Sequence, residues 1–344
     1  MPKQKSKALK RFLLSILVAA LGAGAYGLYL YKSPALDISS DQYVKLGNAD
    51  NLETLIPKLE AECGLKHPAV FRVLAKRMNL ERWMKKGRYT VKPGMTMVDV
   101  IRVFRAGRMQ TVNLVIKPHG TLESFAQKCG EKLEPDAQDY MFLLNDSLFL
   151  DSLGFTPATV YALLLPDTYN VYWHTQADEL LLKLYREYLI YWTEERRAKA
   201  EAAGLTPIEV ATLASIIDKE TNKTDEMPMV AGMYLNRLES QMPLQADPTV
   251  KFALKQPDLR RILHGHLQVE SPYNTYRNTG LPPGPIGIPS KQAIQAVLDH
   301  VEHNYLFMCA REDFSGYHAF AADYKSHLLN AKRYQAALDR RGIK

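Results

Sequence analysis

The alternation of apolar and polar residues changes character several times along this chain, and each change marks a different kind of element. Positions 12–31 read FLLSILVAALGAGAYGLYLY without a charge. At 1.5 Å of rise per residue, those 20 residues span roughly 30 Å, the thickness of a bilayer's hydrocarbon core. A helix packed in a soluble core would carry a polar stripe, and this one has none. The pattern therefore predicts a single transmembrane helix over 12–31. Lys3, Lys5, Lys7, Lys10 and Arg11 precede it. The positive-inside bias then predicts a cytoplasmic basic tail at 1–11 and a remainder outside the cytoplasm, with Tyr26, Tyr29 and Tyr31 at the far interface. Ala23-Gly24-Ala25 has the small residues of a signal-peptide cleavage site, but the apolar run continues past it, which favours an uncleaved anchor.

Ser33-Pro34 breaks this helix. In the region 37–117, short strand-like runs at 42–46 and 87–91 each lead through a turn into an amphipathic helix. The turns are Gly47-Asn48-Ala49-Asp50 and Lys92-Pro93-Gly94. A third strand is expected at 111–116, and from 118 to 344 the chain reads as mostly helical with some strand. Positions 177–199 form one long amphipathic stretch with Leu180, Leu181, Leu184, Tyr188 and Trp192 on its core face. The fold class is α+β: one membrane helix, a small α/β module, and a larger, mostly helical domain.

Thr206-Pro207-Ile208-Glu209 is a strong helix start, with a cap, a proline at the first position and a glutamate placed for a capping box. In the helix that follows, Leu213, Ile216, Ile217 and Glu220 share one face of a 3.6-residue period, while Asp218 and Lys219 are expected on the polar side. A carboxyl on an apolar face is desolvated, which raises its pKa toward the value that a general acid needs near neutral pH. A second helix opens at Met227-Pro228, with Val230, Tyr234 and Leu238 inward and Asn236 and Arg237 alongside. A polar loop is expected at 242–249, containing Gln245, Asp247 and Thr249. Tyr273, Asn274, Thr275 and Tyr276 follow, and then the proline-rich stretch around Pro283. Aromatic faces stack on sugars, and amides and hydroxyls bond sugar hydroxyls and N-acetyl groups, so these segments suit a cleft for an uncharged polysaccharide.

Composition narrows the alternatives. The chain has 344 residues and a formal charge of +7, of which Lys3, Lys5, Lys7, Lys10, Arg11 and Lys32 supply six. The rest is near neutral, so a basic footprint for nucleic acid is lacking. Hydrophobic residues at 47% and charged residues at 24% fit a globular protein rather than a disordered one. Cys63, Cys129 and Cys309 lack the C-x-x-C spacing of a zinc site, and they read as buried thiols with a Cys63–Cys129 bridge left open. His318 and His327 have no partner at metal-ligand spacing, so neither metal nor cofactor is expected.

The segment GRYTVKPGMTMVDVIRVFRAGR resembles the lysin-motif (LysM) glycan-binding module. Further on, LASIIDKET, VAGMYLNRL, MPLQADPTV, YNTY and GLPPGPI, in that order and together with LPDTY at 165–169 and the stretch 318–320, resemble the YceG-like endolytic murein transglycosylases (MltG type). The resemblance implies an inner-membrane, single-pass enzyme that cuts peptidoglycan glycan strands internally and leaves 1,6-anhydro-N-acetylmuramoyl ends. It makes Glu220 the catalytic acid, and it makes the QADPT, YNTY and LPPGPI segments the cleft lining, with cell-wall synthases as candidate partners. The chain departs from the family's pattern at Tyr161 and His119, where the family usually has Glu, and at Asp218, where Glu is frequent. A non-catalytic peptidoglycan-binding scaffold on the membrane is the alternative; only Glu220 argues against it.

Overall fold

The structure, a computed structural model, describes residues 2–47, 49–259 and 261–342, with side chains from residue 10 onward. The side chains of Lys3, Lys5 and Lys7, the turn residue Asn48 and the terminal Lys344 lie outside the described residues. The chain divides into two compact units, Met1–Val112 with Asn170–Thr175 and Asn113–Tyr169 with Gln176–Lys344.

In the first unit, α1 (Pro2–Lys32) contains the stretch Lys10–Lys32, with a mean hydropathy of 1.9, long and apolar enough to cross a membrane. It ends at the expected Ser33-Pro34 break. The chain then forms β1 (Gln42–Leu46), α2 (Leu52–Cys63), α3 (Pro68–Arg77), α4 (Leu80–Trp83), β2 (Gly87–Val91) and α5 (Met97–Arg105). The two strands pair antiparallel, with Val44 opposite Tyr89. Strand alternation puts Val44, Leu46, Tyr89 and Val91 in one core with Leu55, Leu59, Phe71, Ile101 and Phe104. Asn51 and Thr96 start α2 and α5 with full capping boxes, which satisfy helix-end N–H groups that would otherwise be orphaned.

The division between the units falls inside β3 (Thr111–Ile116) and again between Tyr169 and Asn170. The second unit continues through α6 (Leu122–Lys132), α7 (Ala137–Asn145), α8 (Ser147–Ser152), a 3-10 turn at Val160–Leu163, and β4 (Asp167–Tyr172), the partner of β3. Next come α9 (Ala177–Tyr191) and α10 (Glu194–Ala202). The single stretch expected at 177–199 is thus two helices. Trp192 leaves the helical conformation, and the Thr193 hydroxyl accepts the Arg196 N–H to start the second.

The remainder is α11 (Pro207–Glu220), α12 (Met227–Glu239), α13 (Asp247–Ala253), α14 (Lys291–Leu298), an antiparallel pair β5 (Phe307–Ala310) and β6 (His318–Ala321), and α15 (Tyr324–Arg340). The helix α11 lies at the centre, against α12, α13 and α14, and every residue from Val210 to Asp218 is buried. This corrects the expectation that Asp218 faces solvent. A helix enclosed on all sides has no polar face, and the Asp218 carboxylate instead accepts the N–H of Ser290 at 2.6 Å and its hydroxyl at 2.7 Å.

Candidate active site

Glu220 is the last residue of α11, half-buried, where the helix emerges into a cleft of about 360 Å³. The capping box at Thr206 fixes the start of this helix, and Ser215 and Asp218 tie its flank to the 286–290 backbone by accepting the N–H groups of Ile286 and Ser290. The carboxyl is therefore presented from a rigid element. The Tyr234 hydroxyl, from α12, donates to Glu220 Oε1 at 3.0 Å. Desolvation dominates the carboxyl's titration. The Tyr234 bond opposes it, the Asp247 charge adds to it, and His318 and Lys251 pull the other way, so that the pKa is pushed up to about 7. Burial and the neighbouring Glu220 charge keep the Tyr234 hydroxyl protonated far above its ordinary range.

Of the ten residues that the sequence singles out, Glu220, Gln245, Asp247 and Tyr276 line this cleft. Residues 242–249 were expected to be a polar loop, but from Asp247 they form the first turn of α13, with Pro248 just inside the helix start. Exposed Asp247 accepts the Tyr276 hydroxyl at 2.6 Å. Burial, followed by this bond, raises the Tyr276 pKa. Gln245 sits at a positive φ of 52°, a strained position for a non-glycine residue, held by its N–H to Thr275 O and by Arg237 Nη1 reaching its Oε1 at 3.4 Å.

The other six are not among the residues that line it. Asn236 Nδ2 donates to His303 O at 2.7 Å and Tyr305 O at 3.0 Å. Thr249 and Thr275 are buried with their hydroxyls 2.8 Å apart, and Asn274 is buried with Nδ2 on Leu267 O and Val269 O. Tyr273 packs on Phe252 with ring centroids 4.7 Å apart. Pro283 is exposed, next to Gly284, which passes close to the Ala158 carbonyl. Apart from Pro283, these side chains are engaged in the protein's own hydrogen bonds and packing.

Three further cleft residues escape a reading by local pattern: Tyr234, Arg237 and His318. Tyr234 reads as part of an ordinary buried stripe. Buried Arg237 gives Nε to Leu306 O at 2.6 Å and Nη1 to Leu244 O at 2.9 Å, joining α12 to both cleft rims. His318 meets Glu226 across 92 positions of sequence, a pairing that no local signal reveals. His327 also lines the cleft; burial and then the Arg237 charge push its pKa below the usual imidazole range. Where the family usually has Glu, Tyr161 is buried and its hydroxyl accepts the Leu122 N–H at 3.4 Å. Cys63, Cys129 and Cys309 are free thiols. Among the described residues, no group of three or more His, Cys, Asp or Glu is placed to hold a metal ion.

The profile of the YceG-like family matches residues 44–333. An endolytic murein transglycosylase of Streptococcus pneumoniae strain R6 is 27% identical over 343 residues, covering 88% of this chain and 61% of the relative. The chain thus spans about six tenths of that relative's length. An endolytic murein transglycosylase of Bacillus subtilis strain 168 is 24% identical over 329 residues, covering 91% of this chain and 90% of the relative. The crystal structure of a yceG-like protein from Listeria monocytogenes shares the fold, with a TM-score of 0.54 and 24% identity over 85% of this chain and 99% of that one.

Proposed function

The chain belongs to the YceG-like family, and on that premise we propose that it is a membrane-anchored endolytic murein transglycosylase in which Glu220 acts first as general acid and then as general base. The observation that carries this reading is the half-buried Glu220 carboxyl, held at a cleft by Tyr234 and with its pKa raised to about 7. At that value a carboxyl still holds its proton for a large part of the time near neutral pH, and its conjugate base is strong enough to take a proton back.

Ordinary glycosidases use two carboxylates, one for the leaving oxygen and one as nucleophile or as base for water. A lytic transglycosylase needs one. Glu220 gives its proton to the glycosidic oxygen as the bond from muramoyl C1 breaks. The C6 hydroxyl of the same sugar then bonds to C1, and its proton passes to the Glu220 carboxylate, closing the 1,6-anhydro ring without consuming water. The nucleophile is tethered to the carbon it attacks, so its effective molarity replaces that of a positioned water. Gln245, Asp247 and Tyr276 line the sugar path. The region 37–117, as a LysM-like module, positions glycan strands, while 12–31 anchors the enzyme in the inner membrane with 1–11 in the cytoplasm. Cell-wall synthases are the candidate protein partners.

The test is a mass spectrum of the products from glycan strands incubated with the full chain and with Glu220→Gln. The wild type should release fragments ending in 1,6-anhydro-muramoyl residues, one water lighter than reducing ends. The variant should lose about 10²–10⁴-fold in rate, the usual worth of general acid–base catalysis. Reducing ends would make the enzyme a hydrolase with Asp247 as the nearest second carboxylate. Undiminished cleavage by the variant would remove Glu220 from the mechanism, and binding without cleavage by the wild type would leave a scaffold.

A further inference from the structure

Glu226 is buried at the start of α12, and its carboxylate is occupied almost entirely by one residue. Oε1 accepts the backbone N–H of His318 at 2.6 Å; Oε2 lies 2.9 Å from His318 Nδ1 and also accepts the Thr221 hydroxyl at 3.0 Å. An ionised carboxylate offers only acceptors, so the proton in the ring contact sits on Nδ1. A residue gripped at both its main chain and its ring has little rotational freedom left. Next to it, the Tyr317 hydroxyl donates to Asp225 at 2.8 Å, fastening the start of β6 to the start of α12 a second time.

Pairing with β5 and the backbone bond to Glu226 already hold β6 in place. The ring bond does something else: it fixes the tautomer. In the neutral form of the imidazole, a proton held on Nδ1 leaves the lone pair on Nε2. Nε2 has no partner within the protein among the described residues, and His318 lines the same cleft as Glu220 with a side chain 16% exposed. A nearly enclosed ring, oriented by a buried carboxylate and with its free nitrogen unspent, is the arrangement used elsewhere to aim an imidazole at a reacting group.

We propose that His318 is a substrate-contacting residue of this cleft, with Glu226 as its positioning residue, and that Nε2 accepts a hydrogen bond from a sugar hydroxyl at the scissile linkage. This rests on the reading of the cleft as a glycan site. It adds a polar contact facing the sugar from β6, on an element separate from Glu220 and Asp247. The Glu226–His318 pair places the acceptor on β6, while the acid–base role stays with Glu220.

The experiment uses the full chain and uncrosslinked murein glycan strands. Nitrogen NMR of the histidine rings should show the Nδ1–H tautomer for His318 in the wild type, and Glu226→Gln, whose amide can donate to Nδ1, should invert it. His318→Asn keeps a donor for Glu226 and deletes Nε2. Its kcat/KM should fall roughly tenfold, the scale of one lost hydrogen bond, with a melting temperature near that of the wild type. His318→Gln, which returns an acceptor near the place of Nε2, should recover part of the loss. In the inactive Glu220→Gln background, adding His318→Asn should weaken strand affinity by a similar factor, whichever bond chemistry the enzyme performs. An Nε2–H tautomer in the wild type, or unchanged kcat/KM and affinity in His318→Asn, would overturn the proposal while leaving the glycan reading in place. A wild type that neither binds nor cuts glycan strands would overturn both.

Discussion

The Tyr234 hydroxyl donates a 3.0 Å hydrogen bond to Glu220 Oε1, joining the middle of α12 to the last residue of α11. The donor favours the ionised carboxyl, whereas burial favours the neutral one, and the bond keeps the titration near neutrality instead of letting it climb further. The same bond occupies one carboxyl oxygen, Oε1, and leaves Oε2 outside it.

Tyr234→Phe removes that donor at almost constant volume. The anion loses its stabiliser, so the pKa of Glu220 should rise, and the fall of kcat/KM on the alkaline side should move to higher pH than in the wild type. The wild-type fall should centre near pH 7, where the acid loses its proton. A pH–rate profile of the variant that overlies the wild-type one would show that the bond does not tune the acid.

Much of the frame around this pair is legible from local pattern. The strands at 42–46, 87–91 and 111–116 and the helix start at Thr206 coincide with the structure because alternation, turn residues and capping boxes are all short-range signals. Glu220 is legible because it continues the apolar period of α11. Asp218 is misread by the same reasoning, since a one-sided helix is assumed and α11 is enclosed. Asp247-Pro248 reads as part of a polar loop but opens α13, because proline is as welcome at a helix start as in a loop. The Glu226–His318 contact and the reach of Arg237 to Leu306 depend on tertiary closure over 92 and 69 positions, about which no periodicity carries information.

Gly284 tests the close packing beneath the proline-rich segment. A Cβ there would lie 2.0 Å from Ala158 O and 2.7 Å from its carbonyl carbon, both backbone atoms that cannot swing aside. Gly284→Ala should destabilise the second unit by about 1–3 kcal/mol, the usual cost of overpacking, seen as a lower melting temperature. An unchanged value would mean that the segment does not approach 158 so closely.

Arg237 tests the rims. Its Nε and Nη1 bond the carbonyls of Leu306, Pro243 and Leu244. Arg237→Met fills the space but orphans these acceptors, and hydrogen bonds to a charged group are worth about 1.5–3 kcal/mol. The melting temperature should drop, and KM for glycan strands should rise as Gln245 loses its holder. Arg237→Lys should restore little, because a point charge cannot reproduce the guanidinium fork. Full recovery by lysine would show that charge alone, rather than the fork, holds the rims together.

Glu220→Gln should separate function from stability in a pH-dependent way. The folded-state pKa of Glu220, about 7, lies above its ordinary value of 4.5. Between those values the folded protein binds a proton that the unfolded chain has released, so the wild type loses stability as pH rises through this window. Below pH 4.5 the carboxyl is neutral in both states, and Gln, which is also neutral and of the same shape, should give nearly the same melting temperature. Above pH 7 the wild type must bury an anion and the variant need not, so the inactive variant should melt higher than the active enzyme. Thermal unfolding of both proteins at pH 4.5 and at pH 8 measures the gap directly. A gap that is absent at pH 8, or equally large at both pH values, would mean that Glu220 is solvated well enough to titrate normally and would withdraw the physical basis for its role as the acid.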